Sequence, residues 1–196
     1  MPLREERMSL RIAVVSAQNL KDLPVFRLFP YSCQYCLYWE STGDFDEKVD
    51  KAKAQQLKGD WFRNVSKEFG NCGVIAYLNN ESVGYAQYAL SKFFPRVRQY
   101  ASGPPSDDSV FLACLYVPSR ELRGKGIGKY LLNFVLSDLQ KQGHSVVETF
   151  ARKGSESNPA GPLEFYLRHG FFVKRECDGF PLVRKEFRKR ARLFRN

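Results

Sequence analysis

Three glycines and three cations crowd one short stretch of this chain, Arg123-Gly124-Lys125-Gly126-Ile127-Gly128-Lys129. Glycine lets a backbone turn tightly and lets a ligand reach its amides with no side chain in between. Ile127, Tyr130, Leu131, Phe134, Val135 and Leu139 follow at helical spacing, so the stretch reads as the entry to a helix. A helix start carries unpaired N–H groups and a partial positive charge. With the side chains of Arg123, Lys125 and Lys129 added, the chemistry on offer is a phosphate or pyrophosphate cradle. Two familiar cradles do not fit. A Walker loop has four residues between its glycines and a Ser or Thr after its lysine; here three residues separate Gly124 from Gly128, and Tyr130 follows Lys129. The dinucleotide fingerprint G-x-G-x-x-G fails because the spacing is G-x-G-x-G.

The flanking pattern supplies the elements that position this loop. Ser9 to Val15 reads as an opening strand, and Leu20 to Ser41 as an irregular stretch heavy in Pro, Phe, Tyr and Cys. A helix is expected from about Phe45, capped by Asp44 with Glu47 completing the box, and divided in two by Gly59. Cys72–Leu78 and Ser82–Leu90 read as a hairpin, Lys92–Ser109 as a loop, and Val110–Val117 as a strand buried on both faces. After the glycine loop come a helix to Gln142, a strand Ser145–Ala151, a short helix Gly161–His169 and a closing pair, Phe171–Glu176 and Phe180–Phe187. Strands alternating with helices, plus hairpins, mean an α/β fold with a sheet of mixed, mostly antiparallel direction flanked by helices.

The Arg-x-x-Gly-x-Gly pattern of Arg123, Gly126 and Gly128, preceded by a strand ending at Val117, resembles the pyrophosphate signature of the GCN5-related N-acetyltransferase (GNAT) family. The order of elements over about residues 8–187 and the Tyr166-to-Phe171 segment are similar to that family too. The resemblance implies the acyl-CoA N-acyltransferase fold in one domain, 8–187, with a basic tail at 188–196. It implies an enzyme that moves an acetyl group from acetyl-CoA to a primary amine by direct attack in a ternary complex, without a metal. Leu115, Tyr116 and Val117 would then line the pantetheine arm, and Arg123, Gly124, Lys125, Gly126, Ile127, Gly128 and Lys129 would hold the phosphates. The turn from Val117 to Arg123 is about a residue longer than the commonest family version, which allows the strand assignments to slip by one. Asn158 stands where a CoA-contacting asparagine is expected, but eight residues before Tyr166 rather than seven. Tyr166 matches the family's general acid. As base, Glu148 and Glu40 are the candidates, each acting through water; the competing roles are a strand-end charge for Glu148 and a salt bridge for Glu40. His144 and His169 adjoin glycines at element ends and read as exposed turn residues.

Tyr31-Ser32-Cys33-Gln34-Tyr35-Cys36-Leu37-Tyr38-Trp39-Glu40 is the second unusual feature, inside the 20–45 segment that varies with substrate in the resembled family. Tyr31, Tyr35, Tyr38 and Trp39 either line the amine site, with aromatic faces receiving a cation, or form a satellite core under a long loop. The Cys33–Cys36 pair lacks the second pair that a structural zinc site needs.

Composition bounds the rest. The chain has 196 residues, 43% of them hydrophobic, enough for one domain with a core. Its longest apolar run, Val110–Val117, is far short of the ~20 residues of a membrane-spanning helix. No apolar stretch follows the charged N-terminus, and five cysteines suit reduced thiols, so a cytoplasmic location is expected. The formal charge is +10, and Arg184–Asn196 carries seven basic residues against one acid. That tail is either a solvated terminus or a contact to RNA or a ribosome, and the alternative function is a CoA- or RNA-binding module of the same fold. The positive charge disfavours a free polycation as acceptor.

Overall fold

The fold was analysed in a computed structural model that describes residues 9–25, 32–43, 50–154 and 160–187. Strands β1 (Leu10–Val14), β2 (Gly73–Leu78), β3 (Glu81–Leu90), β4 (Val110–Tyr116), β5 (Val146–Phe150), β6 (Phe172–Arg175) and β7 (Leu182–Glu186) form one sheet in the order β1-β2-β3-β4-β5-β7-β6. Every neighbouring pair is antiparallel except β4 and β5. Among the described residues three α-helices accompany it: α1 (Lys51–Phe69), α2 (Ile127–Lys141) and α3 (Leu163–Arg168). The mixed, mostly antiparallel sheet flanked by helices is the one the sequence implied.

Side-chain alternation divides the core. Tyr85, Ala89 and Phe111 join Phe62 and Val65 of α1 on one face, while Ala86, Tyr88, Val110 and Leu112 meet the apolar stripe of α2 on the other. Gly84 admits α2 to that second face, since a Cβ there would lie 2.9 Å from Leu131 and 3.3 Å from Ile127. The first turn of α2, and with it the glycine loop, is thereby pressed against β3.

Two expectations about α1 change. The Asp44–Glu47 capping box lies outside the described residues; the helix starts at Lys51 behind Asp50, whose carboxylate accepts from the Lys53 amide at 2.8 Å. Gly59 does not divide it. The helix runs unbroken, and Gly59 is where the Leu20 side chain comes within 3.1 Å of the Cβ position, so the glycine is a packing notch. The 92–109 loop also contains short 3-10 turns, the last at Pro95–Gln99. The hairpin turn at Asn79 and Asn80 is as expected, both residues adopting positive φ.

Candidate active site

The parallel pair β4 and β5 is joined only at its start, Val110 opposite Val147 and Phe111 opposite Glu148. One step further the Thr149 hydroxyl still donates to the Leu112 carbonyl at 2.7 Å. Beyond that the strands part, and a fork opens in the middle of the sheet. Opposite the fork, β4 carries an extra residue: Tyr88 pairs with Leu112 but Gln87 with Cys114, leaving Ala113 as a bulge. The bulge resets the alternation, so Cys114 and Tyr116 join Phe111 on the α1 face while Leu115 stays on the α2 face.

The glycine loop closes the far end of this fork. Gly124 and Gly126 have φ of +76° and +90°, and a Cβ built on either would meet nothing within 4 Å. A left-handed conformation strained for other residues and open space above it are what a backbone cradle requires. Gly126 is the N-cap of α2 and offers no side chain to its first amides. Among the described residues no acid pairs with Arg123, Lys125 or Lys129. Arg123 turns back on β4: its Nε donates to the Val117 carbonyl at 3.0 Å and its Nη2 to Tyr116 Oη at 3.2 Å. Of the residues read from the sequence as cofactor-binding, Leu115, Tyr116 and Val117 lie at and just past the end of β4, and Arg123 to Lys129 lie in the loop and first turn of α2 that follow. Asn158 and Tyr31 lie outside the described residues, as does the tail from Arg188.

Tyr166 reaches the fork from α3. Its side chain is buried against Phe171, with its ring within 3.0 Å of the Gly161 Cβ position and the Thr149 side chain as hydrogen-bonding neighbour. Burial raises its pKa well above the ordinary tyrosine value, against a smaller opposite effect of Thr149, so at neutral pH the phenol keeps its proton.

The two carboxylates fare differently. Glu148 is fully buried and both its oxygens are occupied. Oε2 accepts from the Ser106 amide at 2.7 Å and from Ser109 Oγ at 3.3 Å; Oε1 accepts from Ser106 Oγ, Lys174 Nζ and Arg184 Nη1 at 3.0, 2.7 and 2.9 Å. Burial pushes its pKa up, but these donors outweigh burial and hold it below the usual value. Glu40 forms a network the sequence did not reveal. Its Oε1 accepts from Lys58 Nζ and, at 2.6 Å, from Gln87 Nε2, while Gln87 Oε1 accepts from Lys58 Nζ at 2.9 Å and from Tyr85 Oη at 2.8 Å. The Lys58 and Glu40 side chains are only 2% and 5% exposed. Burial works to lower the Lys58 pKa, yet Glu40 beside it raises it overall and keeps the ammonium charged. Lys58 is one of four lysines in α1 and Gln87 sits in a strand buried almost throughout, so neither residue type pointed to the other; only their burial together reveals them.

The cysteine–aromatic segment splits between the two roles left open for it. Trp39 is buried, stacked on Tyr100 and Phe150 at 5.2 and 6.0 Å and edge-on to Phe111 at 5.1 Å. Tyr38 is exposed beneath Arg96, its hydroxyl 3.0 Å from that of Tyr100, and Tyr35 is half-buried. Cys33 and Cys36 share one turn, with the Ser32 carbonyl accepting from the Tyr35 and Cys36 amides at 2.9 and 2.8 Å. Burial pushes the Cys33 thiol up to about 12 and raises that of Cys36, so both stay protonated. Among the described residues no cluster of His, Cys, Asp and Glu is placed to hold a metal ion. Neither histidine is an exposed turn residue: His144 stacks on Phe69 and His169 Nδ1 lies 2.7 Å from the Phe165 carbonyl, each half-buried.

Known structures share this fold. A PaiA N-acetyltransferase from Thermoplasma acidophilum, crystallised with coenzyme A, superposes with a TM-score of 0.57 at 16% identity, over 92% of this chain and 100% of that one. Arabidopsis thaliana Naa50, bound to a bisubstrate analogue, gives 0.52 at 21% identity over 91% and 99%. A ribosomal-protein-alanine N-acetyltransferase from Brucella melitensis gives 0.57 at 17% identity over 90% and 99%. At these identities the likeness is one of fold. A comparison with curated protein sequences gave no match. The sequence model of one family does match, over residues 34–171, most of the span from the cysteine–aromatic segment to the end of α3, and it takes in the glycine loop and the fork; the chain belongs to the acetyltransferase (GNAT) family.

Proposed function

We propose that the protein is an acetyl-CoA-dependent N-acetyltransferase in which a primary amine attacks the thioester directly, both substrates being bound together. The observation that carries this is the parting of β4 from β5 beside a helix start whose left-handed glycines face open space. Acetyl-CoA supplies the activated acetyl group. The amides of residues 126–129, with Lys125 and Lys129, would hold its pyrophosphate. Arg123, bonded to the Val117 carbonyl, fixes the end of β4 next to them. The backbone of Leu115, Tyr116 and Val117 would pair with the pantetheine arm along the part of β4 that runs beyond its pairing with β5. A bulge at Ala113 frees β4 backbone from the regular ladder near the thioester, where an amide can stabilise the developing oxyanion. Tyr166 protonates the departing thiolate, a role that suits a phenol kept neutral by burial. The amine approaches from the α1 face, past Tyr35 and Tyr38, while Trp39 belongs to the packing under them. Glu148, bonded by five donors, acts in the fold.

Calorimetric titration with acetyl-CoA tests the reading. Wild-type protein is expected to bind in the micromolar range, and Gly126→Trp, whose side chain fills the cradle, to lose affinity by about 100-fold, or ~2.7 kcal/mol. Release of free CoA thiol is then followed over a panel of primary amines: amino acids, peptides with free N-termini, a lysine peptide and a polyamine. A wild-type protein that binds no acetyl-CoA, or turns it over with no amine, overturns the proposal.

A further inference from the structure

The α1 face of the fork holds a buried carboxylate with one oxygen left over. Lys58 is committed to Glu40 Oε1 and Gln87 Oε1, and its remaining side is covered by the rings of Trp61 and Phe62, 5.9 and 5.8 Å away. Gln87 and Lys58 both donate to Oε1 of Glu40; Oε2 accepts no hydrogen bond from the described residues. A carboxylate held on one side only, in a side chain this buried, keeps its second oxygen in a fixed direction.

That oxygen belongs to a residue beside the fork. Trp39, next to Glu40 in the chain, lies across Phe111, the last β4 residue paired with β5, and Phe150, the end of β5. Gln87, which binds Glu40, is the β3 partner of Cys114, the residue following the bulge. Tyr166 comes from α3 on the α2 face of the sheet, and Glu40 lies against Lys58 of α1 on the opposite face.

We propose that Glu40 is the acceptor-side base, its Oε2 receiving the proton of the attacking amine, with Lys58 and Gln87 as positioning residues. This rests on the acetyltransferase reading. An ammonium loses two protons in becoming an amide: one leaves to solvent, and the other passes to Glu40 as the carbon–nitrogen bond forms. The carbon–sulfur bond breaks with its electron pair on sulfur, and Tyr166 protonates the thiolate. Solvent takes the proton from Glu40 and restores that of Tyr166.

The titratable groups around Glu40 are not rival proton acceptors. They are Cys36 on its own segment, Lys58 on α1, Cys72 before β2, Tyr85 on β3 and Cys114 on β4. Burial raises the thiols and the phenol, and Lys58 stays charged, so none of them titrates between acid and neutral pH.

The test uses the best amine of the panel. Glu40→Gln is expected to lower kcat by about 100-fold, with the acetyl-CoA Kd within about twofold of wild type. Glu40→Asp recovers part of the rate. Because the Glu40→Gln change leaves Lys58 buried without its charged partner, the double variant Glu40→Gln/Lys58→Met is measured alongside; it regains the denaturation midpoint but not the rate. Turnover of Glu40→Gln within about threefold of wild type, or a double variant whose rate recovers together with its denaturation midpoint, overturns the base assignment and leaves the acetyltransferase reading standing. A wild-type protein that binds no acetyl-CoA or acetylates no amine overturns both.

Discussion

The closed and open ends of the β4–β5 pair each bury a glutamate, and the two are built to opposite purposes. At the closed end Glu148 accepts five hydrogen bonds from Ser106, Ser109, Lys174 and Arg184, with two cations to one carboxylate. At the open end Glu40 meets one cation and one amide, both on the same oxygen. The first arrangement clamps the 106–109 turn, β6 and β7 onto the strand pair where it is still paired. The second holds a carboxylate at the edge of the opening with an acceptor to spare. Saturation marks a residue that holds structure together; a rigid group with one open valence marks one that has a further partner.

The pair at the open end is the easier to break. Lys58→Met removes the cation and leaves Glu40 buried, for an expected loss of about 3–5 kcal/mol in stability. Restoring neutrality with Glu40→Gln/Lys58→Met recovers most of it, since a buried pair taken away as a unit is often nearly neutral. Denaturant unfolding reads both variants. A single variant that loses less than about 1 kcal/mol means the pair is not desolvated as its exposure implies.

Tyr166→Phe sharpens the comparison from the other side of the fork. In the proposed reaction, deleting the hydroxyl takes the proton donor away from the leaving thiolate and is expected to lower kcat by about 100-fold, or ~2.7 kcal/mol of barrier. Acetyl-CoA affinity stays within about twofold, because the phosphates and not the phenol carry the binding. Replacing the acetyl donor by one with a more acidic thiol leaving group restores part of the rate. Equal slowing with both donors rules out the acid role.

How much of this the sequence carried depends on how far each signal reaches. The glycine loop, the α2 stripe, the Asn79-Asn80 turn and the order of elements are local, set by residues a few positions apart, and all appear in the structure. Gly59 was misread because the partner that requires it, Leu20, lies far away in the chain. The Ala113 bulge is equally silent: it depends on how β3 and β4 register, which no single strand encodes. Lys58 looks like one more polar residue of a lysine-rich helix, and Gln87 like an isolated polar residue of a strand, until both are found buried around Glu40. Charge networks are tertiary objects, and that is why the sequence offered two carboxylates with nothing to separate them.

Glu148→Gln tests the closed end and should have the smallest effect of the three. Lys174 and Arg184 keep some contact with water, at 29% and 13% side-chain exposure, so losing their carboxylate strands them less than losing Lys58 strands Glu40. The expected cost at neutral pH is about 2 kcal/mol, from charge-assisted hydrogen bonds replaced by neutral ones. Its pH dependence has a fixed sign. Burial alone would raise the Glu148 pKa, but Lys174, the Ser106 amide and Arg184 hold it below its ordinary value in the fold. A carboxylate depressed by folding contributes fully above its unfolded pKa of about 4.3, and the contribution fades as pH falls through the lower, folded value. The stability gap between wild type and Glu148→Gln is therefore wide at pH 7 and shrinks below about pH 4, in denaturant midpoints taken at both ends. A gap that stays constant with pH would mean the glutamine loses shape complementarity rather than charge, and the contrast between the two buried glutamates would then rest on packing alone.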